Sequence, residues 1–215
     1  MSNDTMCSRY YTQNVEGEDD LMRNAEATRE RILDAAMAEF SAYGIAGARV
    51  DRIAKTAGCN KNMIYIYFDN KETLFSTILQ KHLTRVYEEL PFTPDDLPGY
   101  ATRVFNFAMT NPDLIRLMAW SSLEQKTESP AERGTIHDLK VAALLQAQNA
   151  GQVNKTFAPG FLLTAIMALA TAWTASNPFG PSLDPDSTKN PDELRNSIAE
   201  AVKLITQGDT EKHEQ

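Results

Sequence analysis

Four side chains within one short segment have the chemistry needed to recognise base edges. Lys61 can donate hydrogen bonds to guanine O6 or N7, and Asn62 can pair with the edge of adenine. Met63 and Tyr67 offer apolar surface that can pack on the methyl group of thymine. Base edges are accessible in the major groove of DNA, which admits an α-helix. To reach base edges in this way, the four side chains would have to lie on a helix with an open outer face. Each side chain could equally be a solvated surface group.

The sequence from Arg49 to Phe68, RVDRIAKTAGCNKNMIYIYF, predicts two short helices joined by a turn. In the first helix, apolar residues recur at positions i, i+3, i+4 and i+7, and they are Val50, Ile53, Ala54 and Ala57. Gly58 suits a left-handed helix end, and Asn60 can cap the second helix by accepting a hydrogen bond from an N–H near Met63.

The second helix is predicted to bury one face. Ile64 and Phe68 are four residues apart, so they lie on the same side of the helix. Two short helices joined by a glycine-containing turn are typical of a helix-turn-helix, whose second helix enters the major groove. An αα-hairpin inside a helical core is the alternative interpretation of the same pattern.

The wider pattern AAMAEFSAYG, RIAKTAG and MIYIYFDNKETLF resembles the N-terminal domain of the TetR family of bacterial repressors. The match runs without gaps from about Thr28 to about Leu79, about a quarter of the chain, and the run IYIYFDNKE is its most specific part. The resemblance implies that Lys61, Asn62, Met63 and Tyr67 face bases and that Tyr65 faces a phosphate. We predict base contacts chiefly from Lys61 and Tyr67, and backbone contacts from Tyr65 and Lys71. Packing between helix 1, from about Thr28 to Gly44, and helix 3, the second helix of the helix-turn-helix, is the alternative for Tyr65.

Two residues depart from the pattern of the family. Arg49 stands where a Ser or Thr usually caps helix 2 and touches a phosphate; its side chain can reach a phosphate but cannot accept a capping hydrogen bond. Asp51 stands where a basic or small polar residue is frequent. Its carboxylate suits the first turn of a helix, and it could also accept from a cytosine amino group.

The start of the next helix supplies a further candidate for backbone contact. Asn70 can cap this helix, which places Lys71 beside free N–H groups that favour an anion. Helix 1 is predicted to begin near the cap residue Thr28 and to end at Gly44. Arg29, in its first turn, is either a phosphate contact or a solvated side chain.

The net charge of −8 is unusual for a DNA-binding protein, but the charge is distributed unevenly. Residues 27–71 carry seven basic and five acidic side chains, a net charge of +2, whereas the rest of the chain carries 14 basic and 24 acidic side chains, a net charge of −10. An acidic body would repel DNA from every surface except the segment that reads it.

These observations predict an all-α fold of about nine helices. Residues 1–25 are predicted to be a disordered acidic tail. Residues 26–86 form a three-helix DNA-binding domain with the helix-turn-helix at about 49–68, and residues 87–210 form a helical domain for ligand binding and dimerisation. Helix 5 is predicted from Tyr100, and residues 126–131 form a polar loop.

Helix 8, from about Pro159 to Ser176, is apolar on nearly every face, so a partner must cover part of it. Residues 177–190 form a predicted loop, and helix 9 runs from about Asp192 to Gln207. The resemblance implies that helices 8 and 9 of two subunits form a four-helix bundle in a homodimer.

The resemblance also implies that a small molecule binds among helices 5 to 8 and favours a conformation in which the spacing of the two DNA-binding domains no longer matches that of the grooves. The apolar and aromatic candidates for contact with this effector are Phe105, Met109, Trp120, Leu144 and Trp173. Each could instead be a core residue. His137 lies beside the apolar face of the predicted helix 7, about Glu132 to Ala150, and is either a core or surface group or a ligand contact. The set indicates a hydrophobic ligand.

Other classes of function find little support in the sequence. No stretch has 18 consecutive apolar residues and the N-terminus lacks a signal pattern, so we expect a cytoplasmic protein without a membrane partner. Three scattered histidines and two cysteines form no metal or nucleophile pattern, so we expect no enzyme, no metal and no cofactor. The expected partners are double-stranded DNA, a second copy of the chain and a small-molecule effector. A ligand-independent regulator or activator, or a helical enzyme, is the alternative.

Overall fold

A computed structural model describes residues 4–124 and 131–207, with side chains placed for residues 22–124 and 134–207. Within these residues there are ten α-helices, one 3-10 helix and no strand, which confirms the all-α fold. The α-helices are α1 Asp4–Gly47, α2 Val50–Ala57, α3 Lys61–Phe68, α4 Lys71–Glu89, α5 Leu97–Thr110, α6 Pro112–Glu124, α7 Ala131–Asn149, α8 Pro159–Thr171, α9 Phe179–Leu183 and α10 Pro191–Gln207. Parts of three predicted segments lie outside the described residues: residues 1–3 of the tail, 126–130 of the polar loop and 208–210 of the C-terminal domain.

The chain forms two compact units, an N-terminal unit of Met1–Ile78 and a C-terminal unit of Leu79–Gln215. The division falls inside α4 rather than after residue 86, where the sequence placed it. The reason is that the later turns of α4 belong to the second unit, where Leu83 and Val86 line an internal cavity.

The N-terminal unit is built around a small apolar core. Phe40 of α1 and Phe75 of α4 meet edge to face, with ring centres 5.3 Å apart. Ile53 of α2 and Ile64 of α3 are fully buried beside other core residues of the unit. Gly44, the predicted end of the first helix, has φ 67° and ψ −178° and interrupts α1, which only glycine adopts without strain.

The first helix begins much earlier than the sequence predicted. The structure describes α1 from Asp4, so residues 4–25 are helical where a disordered tail was expected. Thr28 is not a cap, because its hydroxyl donates to the carbonyl of Asn24 at 2.8 Å inside the helix. The segment contains no proline, and extending a helix that is already nucleated is far easier than starting one.

Two boundaries in the C-terminal unit also differ from the prediction. Helix α5 begins at Leu97 instead of Tyr100, because Asp96 accepts from the N–H of Gly99 at 2.9 Å and Pro98 occupies the first turn. Helix α8 ends at Thr171 rather than Ser176, and the predicted loop 177–190 contains the short helix α9 and a 3-10 turn. The predicted ninth helix is therefore α10.

The core of the C-terminal unit is formed mainly by α5, α7, α8 and α10. It includes Phe105, Leu144, Leu162 and Ile198, all at most 2% exposed. None of the described helices is both long enough and apolar enough to cross a lipid bilayer.

Candidate nucleic-acid interface and ligand cavity

The start of α2 is held by a carboxylate of α1 instead of by its own cap residue. Arg49 occupies the cap position without a side-chain capping bond, as its chemistry predicts. The Oε1 atom of Glu39 accepts from the backbone N–H of Arg49 at 2.8 Å and from Nε of Arg52 at 2.8 Å. Arg52 also lies over the ring of Tyr43, 4.4 Å from its centre. Glu39 thus links α1 to both the backbone and a side chain of α2.

The carboxylate of Glu39 is nearly buried, with 9% of its side chain exposed. Burial by itself raises the pKa of Glu39, but the hydrogen bonds from Arg52 and from the Arg49 N–H, with the charges of both arginines, outweigh it. The net effect is a pKa below the ordinary value of a glutamate. Glu39 is therefore an anion in the folded protein at neutral pH.

The turn between α2 and α3 follows the sequence prediction. Gly58 has φ 65° and ψ 38°, the left-handed conformation that ends a helix. The side chain of Asn60 accepts from the N–H of Asn62 at 2.9 Å and caps α3. Ile64 and Phe68 are 1% and 4% exposed, so the predicted inner face of α3 is confirmed.

The eight residues of α3 form four rows of i, i+4 pairs. Ile64 and Phe68 form the buried row, and Met63 and Tyr67 form a half-buried row. The two remaining rows are exposed and together make up the reading face, which consists of Lys61, Asn62, Tyr65 and Ile66. The face combines a cation, an amide, a phenol and an aliphatic group, the side-chain types that contact base edges and phosphates.

Ile66 is a member of the reading face that sequence reasoning missed. Its side chain is 73% exposed, the most open of the large apolar groups of α3. The signal was available, since a residue midway between two buried residues four apart must lie on the opposite side of a helix. An exposed isoleucine there can pack on a thymine methyl group.

Asp51 pairs with a residue of the reading face. Its carboxylate lies in the first turn of α2, as predicted, and is 2.9 Å from Nζ of Lys61. The hydrogen bond and charge of Lys61 lower the pKa of Asp51, and the same bond raises the pKa of Lys61. Both side chains are largely exposed, so water weakens this pair. The ammonium of Lys61 has three donors, so it can contact a base while it is paired, but the Asp51 carboxylate offsets its positive charge.

Two other candidates hold neighbouring elements together. The hydroxyl of Tyr67 donates to the carbonyl of Ala25 in α1 at 3.2 Å, so this ring lies towards α1. Nζ of Lys71 donates to the carbonyl of Ala48 at 3.2 Å, next to the start of α2. Asn70 caps α4 by accepting from the N–H of Thr73 at 2.7 Å. Because an ammonium has three donors, Lys71 can hold Ala48 and still contact a phosphate.

The remaining arginines differ in their surroundings. The Arg49 side chain is exposed at the start of α2. The Arg29 guanidinium lies 3.6 Å from Glu26, 3.7 Å from Glu30 and 5.5 Å from the ring centre of Phe68. These contacts place Arg29 in an intramolecular network rather than free for a phosphate.

The C-terminal unit encloses a cavity of about 480 Å³, within the usual range for sites that bind small molecules. Helices α4 to α8 line it, and they include helices 5 to 8, among which the effector site is predicted. Most of the lining is aliphatic or aromatic, and among its described members His137 and Lys140 of α7 are the nitrogen-bearing ionisable side chains.

None of the five predicted effector contacts lines this cavity. Phe105 and Leu144 are buried in the core, and Trp173 packs against it. Met109 is 36% exposed at the surface, and Trp120 is half-buried on α6. The rotation of each helix decides which of its apolar residues meet the core and which meet the cavity, and residue type alone does not encode that choice. Phe107, Ala108 and Met118, close neighbours in sequence, are lining residues instead.

Comparison with known proteins adds the family to this geometry. Residues 32–78 match the family model described as bacterial regulatory proteins, tetR family, and residues 96–203 match the tetracyclin repressor-like C-terminal domain. The chain is 38% identical over 187 residues to the HTH-type transcriptional repressor SCO4008 of Streptomyces coelicolor, covering 85% of this chain and 97% of that protein. The chain belongs to the TetR family.

One solved structure and a second sequence relative agree with this assignment to the TetR family. The crystal structure of the transcriptional regulator SCO4942 from Streptomyces coelicolor superposes with a TM-score of 0.74 at 34% identity, over 83% of this chain and 98% of that chain. The HTH-type transcriptional repressor NicS of Pseudomonas putida is 31% identical over 110 residues, covering 48% of this chain and 52% of that protein. TetR proteins are DNA-binding regulators of transcription and are not a family of enzymes.

Proposed function

We propose that this TetR-family protein is a dimeric repressor that reads a near-palindromic operator with α3 and releases it when a small apolar molecule occupies the C-terminal cavity. The reading face of α3 carries this proposal, because four exposed side chains suited to base and phosphate contact lie on one short, capped helix. Repression is the activity named for the relatives SCO4008 and NicS.

The proposed dimer forms through α8 and α10. Phe161 of α8 is 60% exposed and Leu204 of α10 is 67% exposed, which leaves large apolar groups in water on the isolated chain. A two-fold axis would bury the same surface on both subunits. The charge change in Phe161→Glu or Leu204→Glu is expected to shift sedimentation from dimer to monomer at micromolar concentration. Leu123→Glu, a change at a 74% exposed position on α6, is the matched control.

The two N-terminal units of such a dimer read half-sites about 34–36 Å apart, one helical turn of DNA. The effector acts by binding more tightly to a conformation in which the N-terminal units no longer match that spacing. Helix α4 is the natural route for this coupling. Its first turn contacts Ala48 through Lys71, and its later turns line the cavity with Leu83 and Val86.

Selection of bound sequences from random duplex DNA at a stated salt concentration tests the reading function. A near-palindrome should be enriched, with half-sites one helical turn apart. A folded dimer that enriches no sequence would contradict a specific reader.

Lysine variants then separate the roles within the interface. Lys71→Ala is expected to weaken binding to all DNA alike and to reduce the salt dependence by roughly one phosphate contact. Lys61→Ala should instead alter preference at one base position of each half-site. Lys155→Ala, an exposed lysine of the C-terminal unit, should change neither property. A change of sequence preference with Lys71→Ala would overturn its assignment to the backbone.

A further inference from the structure

The cavity holds one lysine in otherwise mostly apolar surroundings. Lys140 of α7 lines it together with aliphatic residues such as Val104, Met118 and Leu163. The described lining contains no aspartate or glutamate. The chemistry of this lining selects a class of ligand, and that ligand is the effector only if the cavity has the role given to it in the proposed function.

Three aromatic rings and one hydroxyl fix the position of the Lys140 ammonium. Nζ donates to the hydroxyl of Tyr100 at 2.9 Å, and Tyr100 is only 1% exposed. Nζ also lies 5.4 Å from the ring centre of Tyr100, 5.7 Å from that of Tyr87 and 6.0 Å from that of Phe92. The negative faces of aromatic rings attract a cation. The positive charge is thus held in place before any ligand arrives.

These contacts occupy only one of the hydrogen-bond donors of the Lys140 ammonium. It has three N–H donors, and the hydroxyl of Tyr100 accepts one of them. Among the described residues no carboxylate lies within ion-pair distance of Lys140. A partly buried charge that lacks a counter-ion is costly, so a ligand that brings an anion gains more here than the same anion would gain in water.

We propose that the effector is a small apolar molecule with one anionic group, such as a carboxylate, that pairs with Lys140. The apolar remainder of the molecule would fill the aliphatic part of the cavity. A cationic molecule of the same shape meets the repulsion of Lys140, and the rings that could hold it are already taken by the lysine. A neutral molecule fills the space but leaves the ammonium without an anion.

Three probes with the same ten-carbon chain test this preference on the full-length protein: decanoate, 1-decanol and decylammonium. Each is added below its micellar concentration, and both the melting temperature and the binding of the selected DNA are measured. Decanoate should raise the melting temperature most, because ligand binding to the folded state stabilises it by mass action. Decanoate should also release the DNA at the lowest concentration.

Lys140→Met removes the charge and keeps the unbranched apolar stem. It should weaken decanoate binding by about 10- to 100-fold, the usual effect of losing a hydrogen bond to a charged group, and leave 1-decanol unchanged. Lys140→Arg, which keeps the charge, should retain the preference for decanoate. Lys155→Met, with the same loss of charge at an exposed position outside the cavity, should behave as the wild type.

The outcomes separate the ligand class from the proposed function. Equal effects of decanoate and 1-decanol, or a stronger effect of decylammonium, would overturn the anionic assignment even if DNA is released. A Lys140-dependent preference for decanoate without release of DNA would support the anionic site and contradict the effector role of the cavity. Absence of stabilisation by all three probes would overturn both.

Discussion

The two units of this protein are stabilised in different ways. In the N-terminal unit, a nearly buried carboxylate, Glu39, holds the start of α2 through the Arg49 backbone and the Arg52 side chain. In the C-terminal unit, a buried neutral amide holds a loop to a helix by hydrogen bonds. Gln148 is 3% exposed, and its Nε2 atom donates to the carbonyls of Asn154 at 2.8 Å and Phe157 at 2.9 Å.

The difference reflects the task of each unit. The N-terminal unit presents cations to DNA, so an internal anion both orders α2 and offsets part of the positive charge of the interface. In the C-terminal unit Gln148 is buried outside the cavity, where an anion without a partner would be costly, whereas an amide that donates to two carbonyls is not. We therefore expect the N-terminal unit to respond to pH and salt, and the C-terminal unit to respond to packing and to apolar ligands.

The largest expected effect is in the C-terminal unit. Gln148→Leu leaves two backbone carbonyls without their donor and should lower the free energy of unfolding by about 3 kcal/mol. Chemical denaturation measures this change. Gln146→Leu, at an exposed position of the same helix, should have little effect. If Gln148→Leu lowers the free energy of unfolding no more than the control does, the hydrogen bonds from Gln148 to Asn154 and Phe157 do not stabilise the unit.

The next effect tests the Glu39 clamp, which consists of the hydrogen bonds from Arg49 and Arg52 to the Glu39 carboxylate. Glu39→Gln keeps the shape of the side chain but removes its charge, and should lower the free energy of unfolding by about 2 kcal/mol. It should also weaken binding to the selected DNA, since α2 positions α3. Glu72→Gln, an exposed change in the first turn of α4, is the matched control. Wild-type DNA affinity in the Glu39 variant would contradict the claim that the Glu39 clamp positions the reading face of α3.

A smaller effect concerns the response of the same clamp to acid. The pKa of Glu39 is lowered by folding, so its stabilising contribution is present above the pKa of an unfolded glutamate and is lost as pH falls through the lower folded value. The difference in unfolding free energy between wild type and Glu39→Gln should therefore be largest near pH 7 and shrink in acid. Denaturation measured from pH 7 to pH 3 follows it. A difference that stays constant over this range would contradict an ionised clamp.

The smallest effect on stability is expected at the pair between α2 and α3. Asp51→Asn removes the exposed partner of Lys61 and should change the free energy of unfolding very little, because water weakens the interaction between two exposed charges. It should nevertheless raise affinity for DNA and steepen its salt dependence, because the carboxylate no longer offsets the positive charge of Lys61 beside the phosphates. Titration of labelled duplex at several salt concentrations measures both. Asp34→Asn on α1 is the control, and equal affinities of the two variants would mean that Asp51 does not restrain Lys61.

The sequence predicted the N-terminal unit well because its signals are local. The Gly58 turn, the Asn60 cap and the buried pair Ile64 and Phe68 all depend on residues within one or two helical turns of each other. The error at the start of α1 has a different origin. A polar segment without proline carries no signal that distinguishes a solvated helix from a disordered chain.

Contacts with DNA stay a prediction for Lys61, Asn62, Met63, Tyr65 and Tyr67, as they do for Arg49 and Lys71. The structure adds the present partners of three of these side chains. Lys61 faces Asp51, Tyr67 holds the carbonyl of Ala25, and Lys71 holds that of Ala48. Periodicity can assign a residue to a helix face, but it cannot identify a partner that lies 10 or more residues away.

The sequence by itself determined the all-α fold and the helix-turn-helix, because hydrophobic periodicity, caps and turn glycines are properties of neighbouring residues. The family followed from the resemblance of the wider pattern to the TetR family. The tertiary structure decided which anion holds α2 and which residues line the cavity. The roles of Glu39, Lys140 and Gln148 come from contacts with residues outside their own helices, which the pattern of neighbouring residues does not encode. A cavity is the space that several helices leave between them, so its lining depends on the rotation of every helix at once.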